Sequence, residues 1–276
     1  MTDQAGAAAE PPKDPERPLG EAGPLGTGAT TPAPPAPAAP APRDVGLATI
    51  TVVSGFAILV ACLVVLGSIA EGIRAQEVFA LDTWATPFLH GISSPGMDTF
   101  MNLVTDLGSI LVLPVLFVVV EAWLLWSRRF RAGLFLLVAM IGSLVLQGTM
   151  NLFFARPRPQ LPYAHVLPDY SFPSGHTMNA VIFYGGVALL LWSIYGRRAG
   201  LAAVAVATVL AIGVGISRIY LGYHYLTDVV GGILAGLAWL VVVSAAFRAR
   251  PTWQRWRTAW MTHRPTGAGP GRAATR

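Results

Sequence analysis

The 276-residue chain is 54% hydrophobic and only 12% charged, with a formal net charge of +5. That charged fraction is about half that of an ordinary soluble domain and excludes a water-soluble globular fold. Cys62 is the sole cysteine, which excludes an intrachain disulfide and a cysteine-based zinc site, and Lys13 is the sole lysine, so arginine carries nearly all the positive charge.

Residues 1–45 hold 11 of the 22 prolines, with alanine and glycine filling most of the remainder. An arm of this composition has little to bury and is expected to be disordered, partly extended as polyproline II. It does not read as a signal peptide, because the first apolar run starts near Gly46 and no basic segment precedes it.

Six apolar runs follow, each near the roughly 20 residues needed to cross a bilayer core. They cover about residues 47–70, 99–126, 133–154, 177–195, 201–218 and 225–247. The expected architecture is an all-α, polytopic membrane protein: a six-helix transmembrane bundle over 46–247 with a disordered N-terminal arm. Between the first two runs, "VFALDTWATPFLHGI" is too short and too mixed to span and is expected to lie along the interface. In residues 248–276, Trp253, Trp256 and Trp260 share one helical face, which predicts an interfacial helix in a basic tail.

The arginines orient the bundle. Arg128, Arg129 and Arg131 share one loop, Arg197 and Arg198 another, and seven more follow the last run. The positive-inside rule makes these loops and both termini cytoplasmic. The opposite side then carries only Arg74, Arg156, Arg158 and Arg218, and three of these four lie beside the clusters that follow.

The first cluster is "NLFFARPRP", residues 151–159, where two prolines end a helix and stiffen the chain around Arg156 and Arg158. A guanidinium fork suits phosphate through paired hydrogen bonds, although arginines at a membrane edge also snorkel. The second is "SFPSGHTMN", residues 171–179. Ser174 and Gly175 stand where a helix begins, and unpaired N–H groups there form an anion site. The plain alternative is that Ser174 caps the helix and His176 is an ordinary interfacial residue. The third is "SRIYLGYHYLTD", residues 217–228, with Arg218 closing a span and His224 four residues before Asp228. On one helix face, Asp228 could hold Nδ1–H of His224 and leave Nε2 free as nucleophile or base. The pair could also serve simply as an ion pair stabilising a helix start. All three clusters map to one side of the membrane, and together they supply cations, a nucleophile and an acid for phosphoryl transfer.

Pro173-Ser174-Gly175-His176 and Ser217-Arg218 followed by His224 and Asp228 resemble two signatures of the type 2 phosphatidic acid phosphatase (PAP2) superfamily. The third signature, Lys-x6-Arg-Pro, is matched at Arg158-Pro159 but has Asn151 in the lysine position. The resemblance covers about 46–247. It implies a membrane-bound hydrolase acting on a lipid phosphate: phosphatidic acid, phosphatidylglycerol phosphate or a polyprenyl diphosphate. It further implies His224 as nucleophile supported by Asp228 and His176 as acid. Arg158, Arg218, Ser174 and Gly175 would hold the phosphoryl group, with Arg156 and Asn151 at its margin. No cofactor or metal is implied, and the expected partners are the lipid substrate and membrane lipids, with no nucleic acid. The expected setting is a bacterial inner membrane with the site facing outwards. Because the lysine is replaced, a catalytically impaired lipid-phosphate binder or scaffold is the alternative.

Overall fold

The computed structural model describes residues 42–164 and 167–262, and every regular element among them is helical. The helices are α1 (Pro42–Arg74), α2 (Ala80–His90), α3 (Pro95–Asp106), α4 (Val112–Trp126), α5 (Phe130–Phe154), α6 (Gly175–Tyr195), α7 (Arg197–Tyr220) and α8 (Leu226–Thr262). The expected disordered arm lies outside the described residues. The tail expected along the interface instead continues α8 unbroken to Thr262, and its tryptophan side chains lie outside the described residues.

Among the described residues five helices are long and apolar enough to cross a membrane, which makes this a polytopic membrane protein. The expected second span, 99–126, is the exception: it is two helices, α3 and the 15-residue α4, separated by a turn at 107–111. Pro114 supplies the physical reason. It has no N–H to offer the carbonyl one turn back, at Ile110, so breaking the helix at 107–111 forfeits no helical bond there. Ser109 Oγ accepts the Val112 N–H at 3.2 Å and restarts the chain as α4. The segment predicted to lie along the interface is α2, which packs against α7 and α8.

Helix α6 is the most buried of the five long helices and α1 the least. Around α6 pack α4, α5, α7 and α8, with Leu136, Met178, Ile182 and Val214 fully enclosed. The contact of α6 with α8 depends on small residues. A Cβ on Gly232 would sit 2.7 Å from the Ser174 carbonyl oxygen, and one on Gly236 would sit 2.9 Å from Val181. These glycines are four apart and give α8 a flat stripe on which the backbone of α6 rests, the small-residue packing typical of helices in lipid. Several polar groups in the apolar layer are paired: Ser143 Oγ donates to Asn179 at 2.5 Å, Tyr184 Oη to the Leu107 carbonyl at 2.8 Å and Trp239 Nε1 to the Ala139 carbonyl at 2.9 Å.

Because the obstacle at Gly232 is backbone, it has no side chain to move aside. Gly232→Ala is expected to destabilise the protein by about 1–3 kcal/mol. Gly67→Ala on α1, where nothing lies within 4 Å, is expected to stay within about 0.5 kcal/mol. Thermal unfolding of both variants in detergent measures the difference.

Candidate active site

The three clusters meet where α5 ends, α6 begins and α7 turns into α8. The α5 helix stops at Phe154 through Ala155, which takes a left-handed conformation (φ 44°), and the Arg156-Pro157-Arg158-Pro159 run then leaves without regular secondary structure. The α7–α8 turn is set by Gly222 (φ 75°), where a side chain would strike Ala164, Leu161 and Tyr163. Its product is the seating of Tyr223 and His224 against the 155–174 loop.

His224 is 2% exposed. It precedes α8 rather than sharing a helix face with Asp228, because α8 starts only at Leu226. Its Nδ1 lies 2.8 Å from the Ser171 carbonyl oxygen and 3.5 Å from Asp228 Oδ2. A carbonyl can only accept, so Nδ1 bears the proton and donates it to Ser171, and Nε2 keeps its lone pair. The expected Asp228 support is therefore joined by a nearer acceptor that the sequence did not disclose. Arg158 Nη1 lies 3.1 Å from that Nε2 and donates to the Tyr223 carbonyl at 2.7 Å. Burial pushes His224 down to about 4, against the opposing hydrogen bond and charge of Asp228, so the ring is neutral near pH 7.

Arg158 also makes a bidentate pair with Asp169, both contacts 2.9 Å. Burial alone would raise the Asp169 carboxyl, but the Arg158 guanidinium outweighs it and holds the group below the usual carboxylate range. Arg218 is different. It is 4% exposed, donates from Nη1 to Thr105 Oγ1 at 3.1 Å and lies 4.2 Å from the Tyr223 ring centre. Among the described residues it has no carboxylate partner, and its buried Nε–H has no acceptor. A buried guanidinium with an unsatisfied donor is costly unless an anion completes it.

Ser174 is fully buried and extended at the N-cap position, yet its side chain makes no capping bond. Instead Ser174 Oγ accepts from Thr177 Oγ1 at 3.0 Å and retains its own proton to donate, while its N–H donates to the Asp228 carbonyl at 3.0 Å. The first bond along α6 is Met178 N–H to the Ser174 carbonyl, which leaves the Gly175, His176 and Thr177 N–H groups ahead of the helical ladder. His176 stands in the electrostatic field of Arg218, His224, Arg158 and Asp169, in that order of influence after Arg218. The α3–α4 turn closes in on it, since a side chain on Gly108 would meet the His176 carbonyl at 3.0 Å.

Two expected phosphate contacts fall elsewhere. Arg156 donates to Asp228 Oδ1 at 2.5 Å, Thr227 Oγ1 at 2.8 Å and Asp82 Oδ2 at 2.8 Å, with its guanidinium 4.1 Å from the Tyr225 ring centre. That commits it to two carboxylates on the far side of the His224–Asp228 pair. Asn151 accepts from Gln147 Nε2 at 2.6 Å and donates to the Tyr170 carbonyl at 3.0 Å, so both ends of its amide anchor the loop. Sequence reasoning also missed Asp82, Asp169, Thr105 and the Ser171 carbonyl. Only Asp169, in the loop between two clusters, carried a local hint.

The geometry defines a class first: an all-helical integral-membrane protein whose helix ends enclose guanidinium groups and a neutral, oriented imidazole. The chain belongs to the PAP2 superfamily, whose family model matches residues 132–252. It is 33% identical over 173 residues to phosphatidylglycerophosphatase B of Bacillus subtilis, covering 61% of this chain and 84% of that protein. It is 27% identical over 157 residues to the undecaprenyl-diphosphatase BcrC of Bacillus subtilis, covering 54% of this chain and 75% of that one. The fold is similar to the crystal structure of a transmembrane PAP2 type phosphatidylglycerolphosphate phosphatase from Bacillus subtilis. The TM-score is 0.62 at 29% identity, over 68% of this chain and 94% of the other.

Arg156 neutralises two buried carboxylates at once. Arg156→Ala leaves Asp82 and Asp228 facing each other without a counter-charge and is expected to cost about 3–5 kcal/mol of stability. The loss is read as a fall in unfolding temperature in detergent relative to wild type.

Proposed function

We propose that this protein hydrolyses the phosphate monoester or diphosphate of a membrane lipid through a phosphohistidine intermediate. The observation that carries the reading is the meeting of His224 Nε2, deprotonated and 3.1 Å from Arg158 Nη1, with a buried Arg218 that lacks a carboxylate. A phosphoryl group placed there completes the guanidinium donors while presenting phosphorus to the imidazole. Phosphoryl transfer needs mainly such positioning and charge, with little covalent help from the protein.

In the first step the Nε2 lone pair of His224 bonds to the terminal phosphorus, and the bond from that phosphorus to the leaving oxygen (the ester oxygen of a monoester, the bridging oxygen of a diphosphate) breaks with its electrons on that oxygen. His176 gives the oxygen a proton. Burial and the nearby guanidiniums both disfavour a protonated His176, and the negative charge of the bound substrate acts against them so that the ring carries that proton. Arg158, Arg218, Ser174 Oγ and the Gly175 N–H hold the equatorial oxygens. In the second step water attacks phosphorus, its proton passes to His176, and the P–N bond breaks to release phosphate and neutral His224. Arg156 and Asn151 stand behind this machinery as supports of the loop and of Asp228. With the positioned groups present together, catalysis is favoured over the non-catalytic binder.

Phosphatidylglycerol phosphate and a polyprenyl diphosphate are the substrates best supported, since the relatives named above act on lipids of these two kinds. The chain divides functionally into an arm (1–45), the catalytic bundle (46–247) and a basic tail (248–276). The α3–α4 pair makes one broken crossing, giving six crossings with both termini in the cytoplasm. The site then opens outwards from a cell inner membrane.

His224→Ala, purified in detergent and given phosphatidylglycerol phosphate, is expected to lose turnover by about a thousandfold or more. Its size-exclusion profile should match wild type, and wild-type phosphate release from this variant would remove the nucleophile.

The pH profile supplies a second check. Only neutral His224 can attack, and its folded value of about 4 lies below that of a free imidazole. Protonation should therefore silence it only as pH falls towards that value. The acid limb of kcat/KM is expected well under the roughly 6.5 of an unperturbed histidine. A limb centred at the unperturbed value would show an exposed ring.

A further inference from the structure

Asp82 lies on α2, outside all three motif clusters, and is only 4% exposed. Its Oδ1 accepts the Thr227 N–H at 2.8 Å, and its Oδ2 accepts Thr227 Oγ1 at 2.7 Å and Arg156 Nη2 at 2.8 Å. Arg156 uses its other terminal nitrogen for Asp228 Oδ1, and Asp228 Oδ2 accepts the Tyr225 N–H at 2.9 Å beside the His224 ring. A continuous polar path thus runs from an interfacial helix to the reacting imidazole.

The charges along this path do not cancel. Asp82 and Asp228 bring two negative charges and Arg156 brings one positive charge, so a single negative charge remains. If Asp228 alone faced Arg156, the guanidinium would cancel it. The arithmetic matters because bonding phosphorus to Nε2 of an Nδ1-protonated imidazole leaves a positive charge on the ring. Opposite charge nearby favours that product, and low dielectric at a buried site magnifies the effect.

The other charged or titratable groups around His224 do not supply that balance. Arg158 from the 155–174 loop, Arg218 from α7 and His176 from α6 lie on its phosphate side, and Asp169 is bound to Arg158. Among the described residues, the uncancelled carboxylate charge behind the ring comes from Asp82 and Asp228 together.

We propose that Asp82 is a positioning residue for phosphoryl transfer: by sharing Arg156 with Asp228 it fixes that carboxylate behind His224 and keeps the cluster negative as the imidazole becomes cationic. The inference rests on the phosphohistidine reading given above. It adds to that reading a residue from α2 that touches neither the substrate nor the imidazole.

A purely structural role would make Asp82 only a cap for α8. Asp82→Asn separates the two, because the amide oxygen can still accept the Thr227 N–H that caps α8 while the charge and the acceptor for Arg156 are gone. Full-length wild type, Asp82→Asn, Asp82→Glu and His224→Ala are compared in detergent with phosphatidylglycerol phosphate, in steady state and in a single turnover that traps phosphoenzyme. In Asp82→Asn, kcat and the rate of phosphoenzyme formation are expected to fall about tenfold or more, with KM within about twofold of wild type. In Asp82→Glu, which keeps the charge, kcat is expected to stay within about tenfold of wild type. Wild-type kcat in Asp82→Asn overturns the proposal, and so does a rise in KM that accounts for the whole loss. Should Asp82→Asn fail to elute as a single species, a folded Asp82→Glu decides: loss beyond about tenfold overturns the proposal and a smaller loss supports it. Full turnover in His224→Ala overturns the underlying mechanism instead. A dead His224→Ala beside an unimpaired Asp82→Asn overturns the role of Asp82 alone.

Discussion

The guanidinium of Arg156, held between Asp82 and Asp228, is the contact on which the arrangement of the helix ends depends. It joins α2, the loop after α5 and the first turn of α8, beside the small apolar cluster in which Ala85 and Leu89 of α2 meet Leu226 and Val229 of α8. Burying one cation between two anions in a region of low dielectric is costly unless their remaining donors and acceptors are met. Here they are: Thr227 bonds to both Arg156 and Asp82, and the Tyr225 N–H completes Asp228. The result is a rigid back wall behind His224.

That wall gives a division of labour across the imidazole. Behind the ring, carboxylates outnumber the guanidinium and the Ser171 carbonyl fixes the tautomer. In front, guanidiniums outnumber the carboxylate, since Arg158 has Asp169 but Arg218 has none. A neutral ring thus lies between a negative back and a positive front, the charge arrangement that the proposed phosphohistidine chemistry calls for.

Much of the fold was legible from hydropathy, because spans are long, local and set by the bilayer. Five predicted runs correspond to single helices, and α2 lies where a short mixed segment had to lie. The broken second run was also written in the chain, at Gly108, Ser109 and Pro114, but continuous apolarity hid it. A run of apolar residues measures affinity for lipid and carries no record of whether its backbone bonds are continuous. The motif residues were legible because each cluster is local in sequence. Asp82 was not, since it reaches Thr227 across 145 residues and only the packing of α2 on α8 brings them together. The His224–Asp228 pairing was foreseen on a helix face, yet it is made by a turn before α8, and a spacing of four residues does not distinguish the two.

Arg156 and Arg158 show why residue type alone could not assign their roles. Both are arginines in one short stretch, and both were expected to face phosphate. Prolines at 157 and 159 disfavour a helix here, and in a run without regular secondary structure neighbours two apart need not share surroundings. One guanidinium reaches the carboxylate end of the His224–Asp228 pair and the other reaches His224 Nε2. A single loop thereby contacts that pair from both ends, each guanidinium held by its own partners: Asp82 and Asp228 for Arg156, Asp169 and the Tyr223 carbonyl for Arg158.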